Sequence, residues 1–370
     1  SMPLLSIEDP TYLMKVFFKS PLSCLGLARW LPINAGDVAR RYIKDPALLK
    51  FIDIECFCWS VMPADLTPMI NAGMVFSDRH YGGINYPRGG VGIIAEKLVK
   101  GIENYGGEIR YKSKVKKILF REGKAIGVSL DNDEEIYGKT IVSNATRWDT
   151  FGGQGINEPL VELDKTPRSE TKWQKRYSPS PSFLSLHLGV TEDSIPSKTH
   201  CHHLHLDTWE KMEQEQGVTF VSIPTLLDPT LAPPGRHIIH AFTPSSIDYW
   251  EGLSNKEYLE KKKNDANKLI LKLEKLFPNL NQHIIHKEIG SPKTHKRFLS
   301  RNKGSYGPIP LMRLPGLLPM PFNTTKIKGL YCVGDSCFPG QGLNAVAFSG
   351  YACAHIIGAK LGINKWKLPE

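Results

Sequence analysis

A chain of 370 residues, 41% hydrophobic and 23% charged, is long enough for about two domains, and its composition excludes a disordered chain and a polytopic membrane protein. Forty-seven Lys and Arg against thirty-seven Asp and Glu leave a net charge of +10, and half of that excess sits in residues 251–300, with eleven basic and six acidic residues. With no zinc-finger spacing and no basic tail interleaved with aromatics, nucleic acid is set aside as a partner. Seven cysteines, at 24, 56, 58, 201, 332, 337 and 353, are odd in number and follow no signal peptide, which points to a reducing compartment. The Cys56-x-Cys58 pair, on an apolar stretch, reads as core packing rather than as a redox or zinc pair.

Ser1-Met2-Pro3 reads as a scar ahead of an internal methionine, so the natural protein is expected to be longer. Residues 12–31 come nearest to an apolar span but are broken by Lys15, Lys19, Pro21 and Arg29. They are read as a helix pair that either dips Phe17, Phe18, Leu22, Leu25, Leu27 and Trp30 into a membrane surface or packs on its own domain. Residues 7–60 are predicted helical, with Asp45-Pro46 as a helix start. The glycine-rich stretch 81–92 then opens a helix whose Ile93, Ile94, Leu98, Val99 and Ile102 recur at helical spacing. Short β-type runs follow at 108–111, 115–120, 125–130 and 135–137, divided by Glu122-Gly123-Lys124 and Asp131-Asn132-Asp133 turns, with a return strand at 140–143.

Strand-like alternation recurs at 183–190, 220–224 and 237–243, before a predicted helix over 255–277. That helix has a capping box, Ser254 with Glu257, an apolar stripe of Leu269, Ile270, Leu273, Leu276 and Phe277, and lysines on its solvated side. His200-Cys-His-His-Leu-His205 resembles a metal cluster, but side chains alternate on a strand; surface or core histidines and no metal are expected. Trp148, Trp173, Trp209 and Trp250 are read as core. A buried strand over 329–335, the turn Pro339-Gly-Gln-Gly342 and a helix through Ala345, Ala352 and Ile357 close the chain. Strand, glycine turn and helix together present backbone N–H groups to a phosphate or another electron-rich group. Two stretches match G-x-G-x-x-A, yet 90–95 lacks a preceding strand and 340–345 lies within 30 residues of the end, so neither is a complete βαβ unit.

The blocks Asp78-Arg-His-Tyr-Gly-Gly-Ile-Asn-Tyr-Pro-Arg-Gly-Gly-Val-Gly92, Ile141-Val-Ser-Asn-Ala-Thr-Arg-Trp-Asp-Thr150, Pro292-Lys-Thr-His295, Ser305-Tyr-Gly-Pro-Ile-Pro310, Met320-Pro-Phe-Asn-Thr-Thr325 and Leu330-Tyr-Cys-Val-Gly-Asp-Ser-Cys-Phe-Pro-Gly-Gln-Gly342 resemble the carotenoid isomerases. These are FAD-dependent relatives of the bacterial-type phytoene desaturases, and the resemblance covers nearly the whole chain. It implies an α/β fold with α+β elements: a two-domain flavoprotein with a Rossmann-type FAD domain, incomplete here, and a substrate domain of mixed sheet and helices. Residues 1–78 are expected to form a helical, substrate- or membrane-facing part and 79–150 part of the FAD domain. The substrate domain is expected over 151–322, and 323–370 as the C-terminal part of the FAD domain. Family members begin with a strand, G-x-G-x-x-G and a helix, none of which precedes Ser1, so the chain is expected to be the C-terminal portion of a longer enzyme.

The resemblance further implies isomerisation of the poly-cis carotenoid prolycopene to all-trans-lycopene, with reduced FAD used without net redox change. Gly334 and Asp335 are expected at the pyrophosphate and ribityl chain, and Gly340, Gly342, Leu343 and Asn344 at the flavin pyrimidine edge. Val115 is expected to pair with adenine through its backbone, and Asn144 and Ala145 to line the adenosine side. Pro87, Gly89 and Gly90 are expected to let backbone approach the cofactor, and Arg79 and His80 are even between a local loop role and a place near flavin. A peripheral membrane position, in a plastid or a cyanobacterial membrane, follows from the insoluble substrate. Two alternatives stand beside this reading: an FAD-dependent carotenoid desaturase or retinol saturase, and a non-catalytic fragment that binds lipid or a partner.

Overall fold

The structure, a computed structural model, describes residues 10–77, 80, 83–156 and 158–363. It divides into two compact units, one of residues 1–80, 113–180 and 306–370, the other of residues 81–112 and 181–305.

The first unit opens with the helices Pro10–Lys19, Pro21–Trp30, Ala35–Tyr42, Pro46–Ser60 and Met69–Ser77. Asp45 caps the fourth by accepting the Leu48 N–H at 3.0 Å, and Pro46 occupies the first turn, where its missing N–H costs nothing. Ala35, Cys56, Ala64 and Ala72 form the small core between these helices. Cys58, two positions from buried Cys56, is exposed, so only half of the pair packs inward. At about 100° per residue, positions two apart point well away from each other, and Cys58 falls on the solvent side.

An antiparallel meander follows, Val115–Arg121, Lys124–Leu130 and Glu135–Tyr137. Its first turn uses Glu122 and Gly123 at φ 50° and 72°, the left-handed pair that a two-residue hairpin needs. The expected strand at 108–111 does not form: Gly106 and Lys112, both at positive φ, bracket the segment, and no ladder partner lies beside it among the described residues. Ile141–Ser143 then pairs in parallel with Leu330–Cys332, which is all of the 329–335 run that is strand. Helix Leu343–Lys360 ends the described unit. Trp148, Trp173, Tyr177 and Met320 fill an aromatic core of their own.

In the second unit, helix Gly92–Asn104 follows the glycine-rich loop. The unit's sheet has five strands in the order Ile284–Gly290, Ser182–Thr191, Arg236–Ser245, Val218–Ser222 and His202–Leu206, antiparallel throughout. Alternation directs Leu184, Leu186, Leu188 and Val190 to one face, where Leu269, Ile270 and Leu273 of helix Asn255–Leu273 cover them. The capping box of Ser254 and Glu257 is present, while the helix stops at Leu273 rather than 277; Leu276 and Phe277 reach the same core from the turn beyond. The run at 220–224 ends as strand at Ser222, because Pro224 starts a short 3₁₀ turn. Trp148, Trp173 and Trp250 are buried as expected, whereas Trp209 is exposed.

Candidate functional site

The geometry of the site begins with the parallel pair. Leu330, Tyr331 and Cys332 lie opposite Ile141, Val142 and Ser143, and the Val333 N–H donates to the Ser143 carbonyl at 2.9 Å. Both chains therefore leave the sheet at one level, into Asn144 on one strand and Val333-Gly334 on the other. The carboxyl ends of parallel strands are where α/β sheets take ligands. Gly334 has φ +99°, and a Cβ there would stand 2.7 Å from Asn144 Oδ1, so glycine is needed both for the turn and for the approach of Asn144. Its N–H donates to Ser349 Oγ at 3.2 Å, an oxygen that also accepts from Asn323 Nδ2 at 3.0 Å. The turn is thereby tied to the final helix.

Asp335 follows, 9% exposed, with the Ser336 hydroxyl donating to its Oδ1 at 3.3 Å. It does not cap the helix ahead; Gly342 holds that position at φ +102° and offers no side chain to the first-turn amides. Gly340 at φ +117° gives the chain its bend, and Leu343 and Asn344 are exposed at the helix start. Eighteen residues of helix with no acidic residue in the first turn leave that end with roughly half a positive charge. Beside it lies a cavity of about 230 Å³, lined among others by Trp59, Asn71, Met74, Pro339, Gly342 and Asn344. Asn71 Nδ2 donates to the Pro339 carbonyl at 3.4 Å and so fixes one wall.

The structure thus brings Asn144 to Gly334 and carries the chain from Asp335 through Gly340 to Gly342, Leu343 and Asn344. Ala145 follows Asn144 half-buried. Val115 opens the separate meander, opposite Leu130, and that sheet joins the parallel pair where the Ala125 N–H donates to the Lys328 carbonyl at 2.9 Å. Pro87, Gly89 and Gly90 belong to the second compact unit. There the Gly89 N–H donates to Asp228 Oδ2 at 2.7 Å and the Gly90 N–H to the Pro87 carbonyl at 3.0 Å. Both amides are therefore committed within the chain. What the glycines provide is conformation, each at φ +88°. The Gly89 amide and Thr230 hold the Asp228 carboxyl below the ordinary carboxylate range. Arg79 lies outside the described residues.

His202 Nδ1 pairs with Ser222 Oγ at 2.9 Å, His203 Nε2 with the His200 carbonyl at 2.8 Å and His205 Nε2 with Asp207 at 3.2 Å. The three rings point to different partners, and among the described residues no group of three or more His, Cys, Asp or Glu side chains is placed to hold a metal. Three side chains that matter to the site's architecture escaped the sequence reading: Arg147, Ser349 and Asp228. Arg147 alone left a trace, as a charge amid the otherwise uncharged run 141–148. Among the described residues no helix is long and apolar enough to cross a membrane.

No protein-family model matches the chain. It is 56% identical over 367 residues to prolycopene isomerase 1, chloroplastic, of an Oncidium hybrid cultivar, an alignment covering 99% of this chain and 62% of that protein. It is 56% identical over the same length to the chloroplastic prolycopene isomerase of Arabidopsis thaliana, covering 99% of this chain and 61% of that one. The chain spans about three fifths of the length of these curated relatives. Among solved structures it is similar to an oxidoreductase from Methanosarcina mazei, with a TM-score of 0.58, 20% identity, and coverage of 93% of this chain and 72% of that one. That likeness speaks to the fold.

Proposed function

The chain is a relative of the plant prolycopene isomerases over the three fifths of their length that it spans, and on that premise we propose that its function is cis-to-trans isomerisation of a poly-cis carotenoid, prolycopene, with FAD as cofactor. The observation that carries the reading is the 56% identity over 99% of the chain. A site for FAD fits the residues present. A glycine at Gly334 is favoured by its φ of +99° and lets the Asn144 side chain come close, a buried carboxylate follows it, and a glycine-led helix start stands uncapped beside a cavity.

In this assignment Gly334 and Asp335 hold the pyrophosphate and ribityl chain, with the Asp335 carboxylate accepting hydroxyl hydrogens. Gly340, Gly342, Leu343 and Asn344 hold the pyrimidine edge, where the positive helix end favours negative charge. Val115, Asn144 and Ala145 serve the adenosine side. When bound in reduced form, FAD supplies electron density that lowers double-bond character in a polyene and is recovered with no net redox change. The chain's own residues orient the cofactor, and the apolar walls of the cavity, Trp59, Met74 and Val75, keep water out.

We further propose a bilayer surface as the place of action, since the proposed substrate is insoluble in water. Helices Pro10–Lys19 and Pro21–Trp30 expose Phe18 at 77% and Leu22 at 83%, with Leu25 and Leu27 beside them. From Pro10 to Gly36 every charge is positive, at Lys15, Lys19 and Arg29, which suits an anionic surface. The relatives are described as chloroplastic, and a plastid or a cyanobacterial membrane is the compartment proposed for this chain.

The experiment is an absorbance spectrum of the chain after incubation with FAD and desalting, followed by prolycopene under reducing conditions. Retained flavin bands, and a product of unchanged mass and altered geometry, are expected. A mass change of two would instead make the chain a desaturase or saturase, and loss of all flavin would remove the cofactor site from this chain.

A further inference from the structure

Arg147 is a charged side chain in a place that strongly disfavours one. It lies three residues past Asn144, in the first turn of helix Arg147–Phe151, and is 1% exposed. Its Nη1 donates to Glu170 Oε1 at 2.7 Å, and Glu170 is itself buried. Its Nη2 donates to the Phe322 carbonyl and also approaches Cys337 Sγ at 3.6 Å. Burial pushes the Cys337 and Cys332 thiols up, and the guanidinium's ion pair is with Glu170.

Stability alone is a poor account of this pair. Taking two ions out of water costs several kcal/mol each, and an apolar pair of equal volume commonly does as well. The pairing is also incomplete: Arg147 Nε and Glu170 Oε2 have no hydrogen-bond partner among the described residues. The directions of the bonds explain more. One guanidinium, reaching from the segment that follows Asn144, touches Cys337, three residues beyond Gly334, and Phe322, next to Asn323, whose carbonyl accepts the Cys332 N–H of the second parallel strand at 2.9 Å.

We propose that Arg147 is a positioning residue: anchored by Glu170, it fixes the turn Gly334–Pro339 against Asn144, and so sets the shape of the surface offered to the cofactor. It touches no reacting group. The inference rests on the reading of that turn as the FAD site, but its mechanical half can be tested without flavin.

The test is hydrogen exchange of the amides in 333–342, with FAD affinity measured beside it, in this chain and two variants. The double variant Arg147→Met/Glu170→Met strands no charge and nearly conserves volume, and Arg147→Lys keeps the charge but not the forked donor. In both, thermal stability is expected to stay within a few degrees of the parent, while exchange in 333–342 rises by about tenfold and the FAD dissociation constant by about tenfold. Unchanged exchange in that segment, or an equal rise along the whole chain, overturns the proposal. Should the parent chain bind no FAD, the cofactor reading fails by itself, and exchange alone decides whether Arg147 holds the turn.

Discussion

The carboxylate of Asp228 accepts the Gly89 amide at 2.7 Å, joining residues 139 apart in sequence, and it also takes the Thr230 amide and hydroxyl. One side chain therefore shapes the glycine-rich loop. Because these donors depress the carboxyl's folded pKa, its contribution is full above the unfolded value near 4 and is lost as pH falls through the lower, folded value. Protection of the 86–92 amides, taken against the intrinsic exchange rate at each pH, is expected to fall below about pH 4 in the parent, and to be low at all pH values in Asp228→Ala. A flat pH response in the parent would remove Asp228 as the clamp.

Gly334→Ala is expected to cost about 1–3 kcal/mol, from positive φ and from the 2.7 Å approach to Asn144 Oδ1. Adding Asn144→Ala relieves only the steric part. Urea unfolding of the single and double variants measures both, and full recovery in the double would show that φ plays no part.

On anionic vesicles, Phe18→Ser with Leu22→Ser is expected to shift the chain from pellet to supernatant. Both residues are exposed, so unfolding stability should change by less than about 0.5 kcal/mol per site. Sedimentation that is the same for parent and variant contradicts the membrane position.

Leu186, fully buried between the five-stranded sheet and helix Asn255–Leu273, is expected to lose about 2–5 kcal/mol on substitution by alanine. Leu271, on the outer side of the same helix, is expected to lose less than about 0.5 kcal/mol. Denaturant midpoints of the two variants check the assignment of faces.

Helix Asn255–Leu273 was legible because its start and its apolar stripe are both local signals. Ser254 and Glu257 stand three apart, and Leu269, Ile270 and Leu273 repeat at the helical period. The outer strands of the sheet were not. His202–Leu206 and Ile284–Gly290 mix His, Lys and Glu with their apolar residues, because an edge strand has a ladder on one side alone. The glycine turns at Gly334, Gly340 and Gly342 could be read as such, since φ near +100° to +117° strongly favours a residue without a Cβ. What Gly89 and Gly90 do with their amides could not: the partner of Gly89 is Asp228, and no pattern in either stretch names the other. Arg147 was hidden for the same reason, since its partners at 170, 322 and 337 meet only in the folded chain.

The parallel pairing of Ser143 with Cys332 also governs the order in which the chain can fold. Between those two strands lies the entire five-stranded sheet of the second unit, whose hairpins close over far shorter loops. Loop-closure entropy makes such near contacts the earlier ones, and a sheet formed in between shortens the effective loop that separates Ser143 from Cys332. The turn after Cys332 is then expected to acquire its shape after the five-stranded sheet has formed.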